Sequence, residues 1–314
     1  MKALIIGQGN VGKALSGVLS INDWQHSFFT GKTINADFIR QASLVDVIFL
    51  AISTKGIGAE ALRYLLCSVE LGKIIITAEK AALAYHWETL SPHLNKNIGL
   101  TTTVGGSSNM LSLFEERNPE EIESVVGIVN GTINFLSWFI QTGQGKINDA
   151  LRTAKEKGLL DSRSTSLCQI IDEEISDALK KSVIIYKSAG LTPNIHPQDF
   201  SYWLLSSDEY LRLLSRNQQT RFVVSIEKTD KRVMPQSGFD LYVRPWHIQG
   251  RFVDHADELM HGLTPEAENN CLVVNHSLNI GWESKSGIGA GSKITAETMF
   301  NEALSFVNSK TVTQ

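Results

Sequence analysis

Lys2-Ala-Leu-Ile-Ile6, Gly7-Gln-Gly9-Asn10-Val11-Gly12 and Lys13-Ala-Leu-Ser-Gly-Val-Leu19 follow one another at the start of the chain. An apolar run that fits a buried strand enters a GxGxxG turn, and a helical pattern leaves it. The three glycines have separate tasks in such a turn. Gly7 permits the tight bend, Gly9 lets the backbone approach a pyrophosphate, and Gly12 lets the helix lie close to the sheet. A helix starting near Asn10 and Val11 then offers free N–H groups and the positive end of its dipole to an anion. The same string also describes an ordinary glycine-rich strand-to-helix turn. The buried strand before it and the helix after it favour the dinucleotide reading.

Composition narrows the choice. With 314 residues there is ample chain for a large core, and a net charge of −4 of mixed sign gives no footprint for a nucleic-acid or membrane partner, which leaves a small molecule as the expected ligand. No apolar run reaches the length of a membrane span. A strand beginning at residue 2 leaves no room for a leader peptide, so a cytoplasmic protein is expected. Cys67, Cys168 and Cys271 lie far apart in apolar surroundings and read as reduced core thiols. The eight histidines show neither HExxH nor pairing with cysteine, so no zinc site is expected.

The first third alternates strand and helix. Ser27–Phe29, Asp46–Ile52 and Lys73–Ile76 read as strands, Ala59–Leu66 as a helix, and Gly99–Val104 as a further strand. Such alternation predicts an α/β fold of the Rossmann type, a doubly wound parallel sheet with helices on both faces. Ligands on these sheets bind at the C-terminal strand ends, where Gly7, the pair Ser53 and Thr54, and Thr77 would converge. After the second strand an NAD-selective unit usually places an acid for the ribose hydroxyls. Here no acid precedes Asp37, and Lys32 stands instead. A lysine there faces either a 2′-phosphate or solvent; the first reading tilts the expectation toward NADP over NAD.

Beyond residue 128 the pattern changes. Gly131–Gln141, Lys146–Gly158, Asp172–Gly190 and Ser207–Arg216 read as helices, and Arg221–Glu227, Phe239–His247, Asn270–His276 and Asn279–Ser284 as strands. The expected division is residues 1–128 with 287–314 as the dinucleotide-binding domain, and 129–286 as an α+β substrate and dimerisation domain.

Four further blocks carry a resemblance. Asn130-Gly131-Thr132-Ile-Asn134 resembles the NGTxN segment of homoserine dehydrogenases, and Thr77-Ala-Glu79-Lys80-Ala-Ala-Leu-Ala84 resembles their TANKALLA block. Asp177-Ala-Leu-Lys-Lys181 resembles their DxxxK helix, and Gly287-Ile-Gly289-Ala-Gly291, followed by Thr295-Ala296, resembles their closing GxGAGxxxTA. With the N-terminal glycine turn, five blocks stand in the family's order along nearly the whole chain. The resemblance implies reduction of L-aspartate 4-semialdehyde to L-homoserine by NADPH or NADH, usually in a homodimer. It implies Lys181 as proton donor with Asp177 as its paired acid, and Lys80 beside nicotinamide and substrate. It also assigns Gly158 and Gly289 to the cofactor, and Thr132 to the substrate. The chain ends soon after the last block, so no regulatory domain is expected.

Spacing alone leaves the pair open. Asp177 and Lys181 stand one turn apart, which is also the spacing of a surface ion pair. They flank the apolar stripe Ile171, Ile175, Ala178, Ser182 and Ile185, a setting that suits a cleft wall. The chain departs from the family pattern in three places. The GYxE segment, whose glutamate binds the substrate ammonium, becomes Gly158-Leu-Leu-Asp161, one methylene shorter. About five extra residues follow it relative to the family pattern, so either Asp161 or Asp172 is the expected ammonium ligand. The EASVGGGIP block becomes Thr101-Thr-Thr-Val104-Gly-Gly-Ser-Ser-Asn109, losing the acid that helps hold a monovalent cation; only carbonyls near Val104 remain for one. The third is Glu79, where the family has asparagine. These changes keep two alternatives open: an NAD(P)-dependent oxidoreductase for another small amino-acid aldehyde or alcohol, and a non-catalytic nucleotide-binding relative.

Overall fold

The computed structural model describes residues 1–31, 33–160, 166–215, 220–263, 266–277, 281–289 and 291–312. Two compact units divide them: Met1–Thr103 with Ser292–Gln314, and Val104–Gly291.

The first unit runs β1 (Lys2–Ile6), α1 (Asn10–Ile21), β2 (Gln25–Phe29), α2 (Ala36–Ser43), β3 (Val47–Leu50), α3 (Ala59–Glu70), β4 (Ile74–Thr77), α4 (Ala81–Tyr85), α5 (Trp87–Leu90) and β5 (Ile98–Gly99). The strands form a parallel sheet in the order β2-β1-β3-β4-β5. Its central strands are apolar except for Lys2 and Thr77 at their ends, because helices cover both faces. Ala3, Ile5, Val47, Phe49, Ile74 and Ile76 share one buried cluster with Leu15 and Leu19 of α1 and with Ala296, Met299, Phe300 and Ala303 of the closing helix, Ser292–Val312. Trp24 meets Phe300 edge-on at 5.4 Å within it. Phe29, Phe38 of α2 and Tyr64 of α3 form a second aromatic cluster, with ring centroids 5.1–6.3 Å apart.

The strand expected over 99–104 is shorter than the sequence predicts. β5 stops at Gly99, and Thr101–Thr103 form a 3-10 turn. Threonine favours strands, but here the hydroxyls bond locally instead. The Thr102 hydroxyl donates to Thr77 O at 2.9 Å, and that of Thr103 to Leu100 O at 2.6 Å. Such bonds give the backbone an alternative to a sheet ladder.

The second unit runs β6 (Ile122–Ile128), α6 (Gly131–Gln141), α7 (Ile147–Glu156), α8 (Leu167–Ser188), β7 (Ser201–Trp203), α9 (Ser207–Leu214), β8 (Thr220–Lys228), β9 (Gly238–Val243), β10 (Trp246–Asp254), β11 (Asn269–His276) and β12 (Trp282–Ile288). Its sheet is antiparallel throughout, in the order β12-β11-β6-β8-β10-β9-β7. β6 lies between β11 and β8, so residues 104–128, placed with the first domain on sequence grounds, group with the second. The strand expected over 239–247 is a hairpin instead. It breaks at Arg244-Pro245, where the proline offers no N–H to a ladder.

One buried ionic cluster ties this hairpin together. The Asp240 carboxylate, with no exposed side-chain surface, meets His247 Nε2 at 2.5 Å and accepts from Arg232 Nη2 at 2.6 Å. Removing one member of a buried pair strands the other without solvent. Asp240→Ala is therefore expected to cost about 3–5 kcal/mol of stability, toward the lower figure because Arg232 is half exposed. Chemical denaturation measures it, and a loss close to zero would show that the cluster contributes no net stability.

Candidate active site

In the first unit the C-terminal edge of the parallel sheet is a cradle of backbone. Ala51 N–H donates to Ile6 O at 2.8 Å and Ala78 N–H to Leu50 O at 3.1 Å, so the chain leaves β1, β3 and β4 in step. Gly7 turns the chain with φ +113°, and a Cβ there would lie 2.2 Å from Ala51 O. A Cβ on Gly12 would lie 2.1 Å from Gly7 O, so α1 starts in direct contact with the turn. A Cβ on Gly9 would meet nothing within 4 Å. Gly9 is the N-cap of α1 but lends no side chain to it, and the first turn, Asn10, Val11 and Gly12, holds no acid. An open, uncapped, acid-free helix start beside a close-packed glycine turn fits a pyrophosphate. Ser53 and Thr54 are exposed in the loop after β3. Lys32 lies outside the described residues.

Lys80 is half-buried at the N-cap of α4, just past the end of β4. The neighbouring departure from the family pattern has a structural role. Glu79 is 1% exposed, and its two carboxylate oxygens accept from Ala81 N at 2.8 Å and Ala82 N at 2.9 Å. A carboxylate that takes the first N–H groups of a helix is well satisfied and opposes the positive end of its dipole.

In the second unit, α8 carries the Asp177–Lys181 pair, and it is not a surface ion pair. Lys181 Nζ lies 2.8 Å from Asp177 Oδ2, with side-chain exposures of 7% and 24%. The ammonium also donates to Val129 O at 2.7 Å. Lysine is rarely buried unless paired, and here a carboxylate and a carbonyl compensate it. Asn130 joins the group from the start of α6. Its Oδ1 caps that helix through Ile133 N at 2.9 Å, while its Nδ2 reaches Glu174 Oε2 at 2.6 Å and Asp177 Oδ2 at 3.3 Å. The β6–α6 turn and α8 thus hold the lysine's ammonium and its carboxylate from both sides.

The other expected substrate ligands are dispersed. The Thr132 hydroxyl, 3% exposed, donates to Leu159 O at 3.0 Å. Its proton is committed to the turn that follows α7, where Gly158 adopts φ +71°. Asp161 lies outside the described residues. Asp172 accepts from the Tyr210 hydroxyl at 3.2 Å, and burial pushes its carboxyl above the usual range despite that bond. A raised carboxyl favours folding below its unfolded pKa of 3.8, and that advantage is lost as pH rises through the folded value. Asp172→Asn is expected to raise Tm at neutral pH, with a gain that shrinks toward about pH 3. Thermal denaturation across that range checks it; a gain independent of pH would assign the effect to something other than the proton.

Gly289 is half-buried and donates to Glu268 O at 3.1 Å. Val104 is fully buried, followed by Gly105 and Gly106 at φ +80° and +56°. In the first unit, the residue that replaces the family's acid does meet a carboxylate. Glu302 of the closing helix accepts from Thr101 N at 2.9 Å and from its hydroxyl at 2.6 Å. Burial raises the Glu302 carboxyl. No cluster of three or more His, Cys, Asp or Glu side chains suited to a metal occurs among the described residues. No helix among them is long and apolar enough to cross a membrane.

Sequence reasoning missed Asn130 as a ligand of Asp177, and it missed Glu174 and Asn270. Asn270 of β11 is fully buried, and its Nδ2 donates to Val129 O at 3.2 Å, the same oxygen that holds Lys181. Two consecutive asparagines opening an apolar strand were the available signal, since the type is depleted in strands.

Known proteins resemble this chain in sequence and in fold. The chain is similar to the homoserine dehydrogenase of Neisseria gonorrhoeae, 26% identical over 262 residues that make up 81% of this chain and 55% of that protein. The chain spans about half the length of the curated relatives it matches. Its fold is similar to the crystal structure of homoserine dehydrogenase from Thermoplasma acidophilum, with a TM-score of 0.71 at 18% identity, covering 98% of this chain and 99% of that one. It is also similar to that of a hyperthermophilic archaeal homoserine dehydrogenase mutant in complex with NADPH, with a TM-score of 0.62 at 17% identity and 98% of each chain covered. The model of the family described as homoserine dehydrogenase matches residues 110–304, which include β6, the Asn130 cap, the Asp177–Lys181 helix and most of the closing helix, and the chain belongs to that family.

Proposed function

We propose that the chain is an NAD(P)H-dependent homoserine dehydrogenase that reduces L-aspartate 4-semialdehyde to L-homoserine, in the cytoplasm and as a homodimer, on the route to threonine and methionine. The observation that carries this is the buried Lys181 ammonium, held by Asp177 and Val129 O. The reduced nicotinamide supplies a hydride to the aldehyde carbon. The aldehyde oxygen then gains a pair of electrons and needs a proton. An ammonium has three donors, and Lys181 has two partners among the described residues. Its third donor serves the substrate oxygen, delivers the proton and regains it from solvent. Lys80 adds positive charge for the developing oxyanion. Asp161 and Asp172 are the acids proposed for the substrate ammonium, with Thr132 supporting the turn before Asp161.

The cradle of Gly7, Gly9 and Gly12 fits the pyrophosphate, and a fold relative holds NADPH. Spectrophotometric oxidation of homoserine with NADP and with NAD, beside a panel of other amino alcohols, tests the reading. Turnover of another amino alcohol in preference to homoserine would replace the substrate, and turnover of none would overturn the assignment. Lys32→Ala is expected to weaken NADP binding by about 1–3 kcal/mol while sparing NAD, as loss of a charge-assisted bond to phosphate does. Equal losses for both nucleotides would remove Lys32 from the site.

A further inference from the structure

We propose that Asn270 is a positioning residue for Lys181, acting through the carbonyl of Val129. The inference rests on the reading of Lys181 as proton donor. Val129 O accepts from Lys181 Nζ at 2.7 Å and from Asn270 Nδ2 at 3.2 Å. A carbonyl has two lone pairs, so two donors fix its direction. Asn270 takes one and leaves the other for the ammonium. Val129 follows the last residue of β6, and Asn270 precedes Cys271, which pairs with Ile128. The β6–β11 ladder therefore sets the distance between amide and carbonyl, while α8 brings the lysine from another direction.

Asn270 is an expensive way to fill this space. It is fully buried, and its Oδ1 has no hydrogen-bond partner among the described residues. A buried amide oxygen without a donor costs about 1–3 kcal/mol. A leucine of similar size would avoid that cost. The chain also makes room for the amide, because a Cβ at Gly289 would lie 2.0 Å from Asn270 Cγ. A polar group kept under these conditions is explained by what its other end does, which is to orient the carbonyl that holds Lys181. Asn130 acts on the opposite side, through Asp177. Two buried amides thus bracket one ion pair and limit where the third proton of the ammonium points.

The test compares Asn270→Leu, which removes the donor, with Asn270→Ser, which keeps an O–H donor. Two readouts are needed. In steady-state homoserine oxidation, Asn270→Leu is expected to lower kcat by about 10–100-fold, the scale of a displacement near 1 Å, with KM for homoserine little changed. Asn270→Ser is expected to recover part of that loss. Independently of activity, NMR of protein labelled at lysine Nζ reports the ammonium protons of Lys181, assigned with Lys181→Met. Burial and fixed acceptors slow their exchange with water, so the signal is expected in the wild type and in Asn270→Ser, and is expected to broaden in Asn270→Leu. If the wild type does not oxidise homoserine, the proposed function fails while the NMR comparison still decides the positioning role. An unchanged Lys181 signal in folded Asn270→Leu overturns the proposal, as does an unchanged kcat in an active enzyme. Should Asn270→Leu not fold, Asn270→Ala takes its place: a broadened Lys181 signal supports the role, and one of wild-type sharpness overturns it.

Discussion

Lys181→Met is expected to lower the turnover number about 10²–10⁴-fold, the range for a positioned general acid, and to leave nucleotide affinity close to wild type. Methionine fills nearly the same volume, so the packing of α8 is kept. The groups that lose the ammonium keep other partners: Val129 O retains the Asn270 amide, and Asp177 retains the Asn130 amide and about a quarter of its surface in solvent. The variant should therefore fold, and its defect should be chemical. The glycine cradle belongs to the other unit. Asp177→Asn is expected to slow turnover as well, since an amide cannot neutralise the lysine. Near-normal turnover in Lys181→Met would end the assignment of proton donor and return the pair to a purely structural role.

The parts of this protein that were legible in its sequence are those with a short-range physical cause. The apolar run Lys2–Ile6, the glycine turn and the helix after it are local patterns, and each forms where expected. The α6 helix matches because Asn130 caps it and a mostly apolar stretch follows. The sequence was less informative where a distant partner decides. Thr101–Thr103 look like strand residues, but Thr102 and Thr101 bond to Thr77 and to Glu302, which is 201 positions from Thr101. β6 reads as part of the first domain because it precedes the NGTxN segment, and only its pairing with β8 and β11 moves it. The site shows the same divide. Asp177 and Lys181 are singled out by their likeness to the family's DxxxK helix and by the apolar stripe they flank, yet their burial depends on Val129, Asn130 and the strand that carries Asn270. No helical or strand periodicity marks a residue that acts through another chain segment's carbonyl.

The glycine turn yields the second large effect, and its three positions should fail in different ways. Gly7→Ala must hold a side chain at φ +113° with its Cβ 2.2 Å from Ala51 O. Gly12→Ala keeps helical backbone but sets its Cβ 2.1 Å from Gly7 O. In both, the obstacle is backbone of the central sheet or its turn, which a side-chain rotation cannot clear. The strained backbone and the overpacking each cost about 1–3 kcal/mol, so the first unit should lose about 3 kcal/mol or more in Gly7→Ala and somewhat less in Gly12→Ala. Gly9 differs, because its Cβ would meet no protein atom within 4 Å and its backbone is extended. Gly9→Ala should change stability by only about 1 kcal/mol, the cost of alanine at an N-cap. Its methyl group would instead occupy space that a pyrophosphate needs. Thermal denaturation with and without NADPH separates the cases. Gly7→Ala and Gly12→Ala are expected to lower Tm strongly without nucleotide, and Gly9→Ala to lower it least but lose most of the rise that NADPH produces by binding the native state. A Gly9→Ala protein stabilised by NADPH as well as the wild type would place the pyrophosphate elsewhere, even if the turn itself proved as rigid as its contacts require.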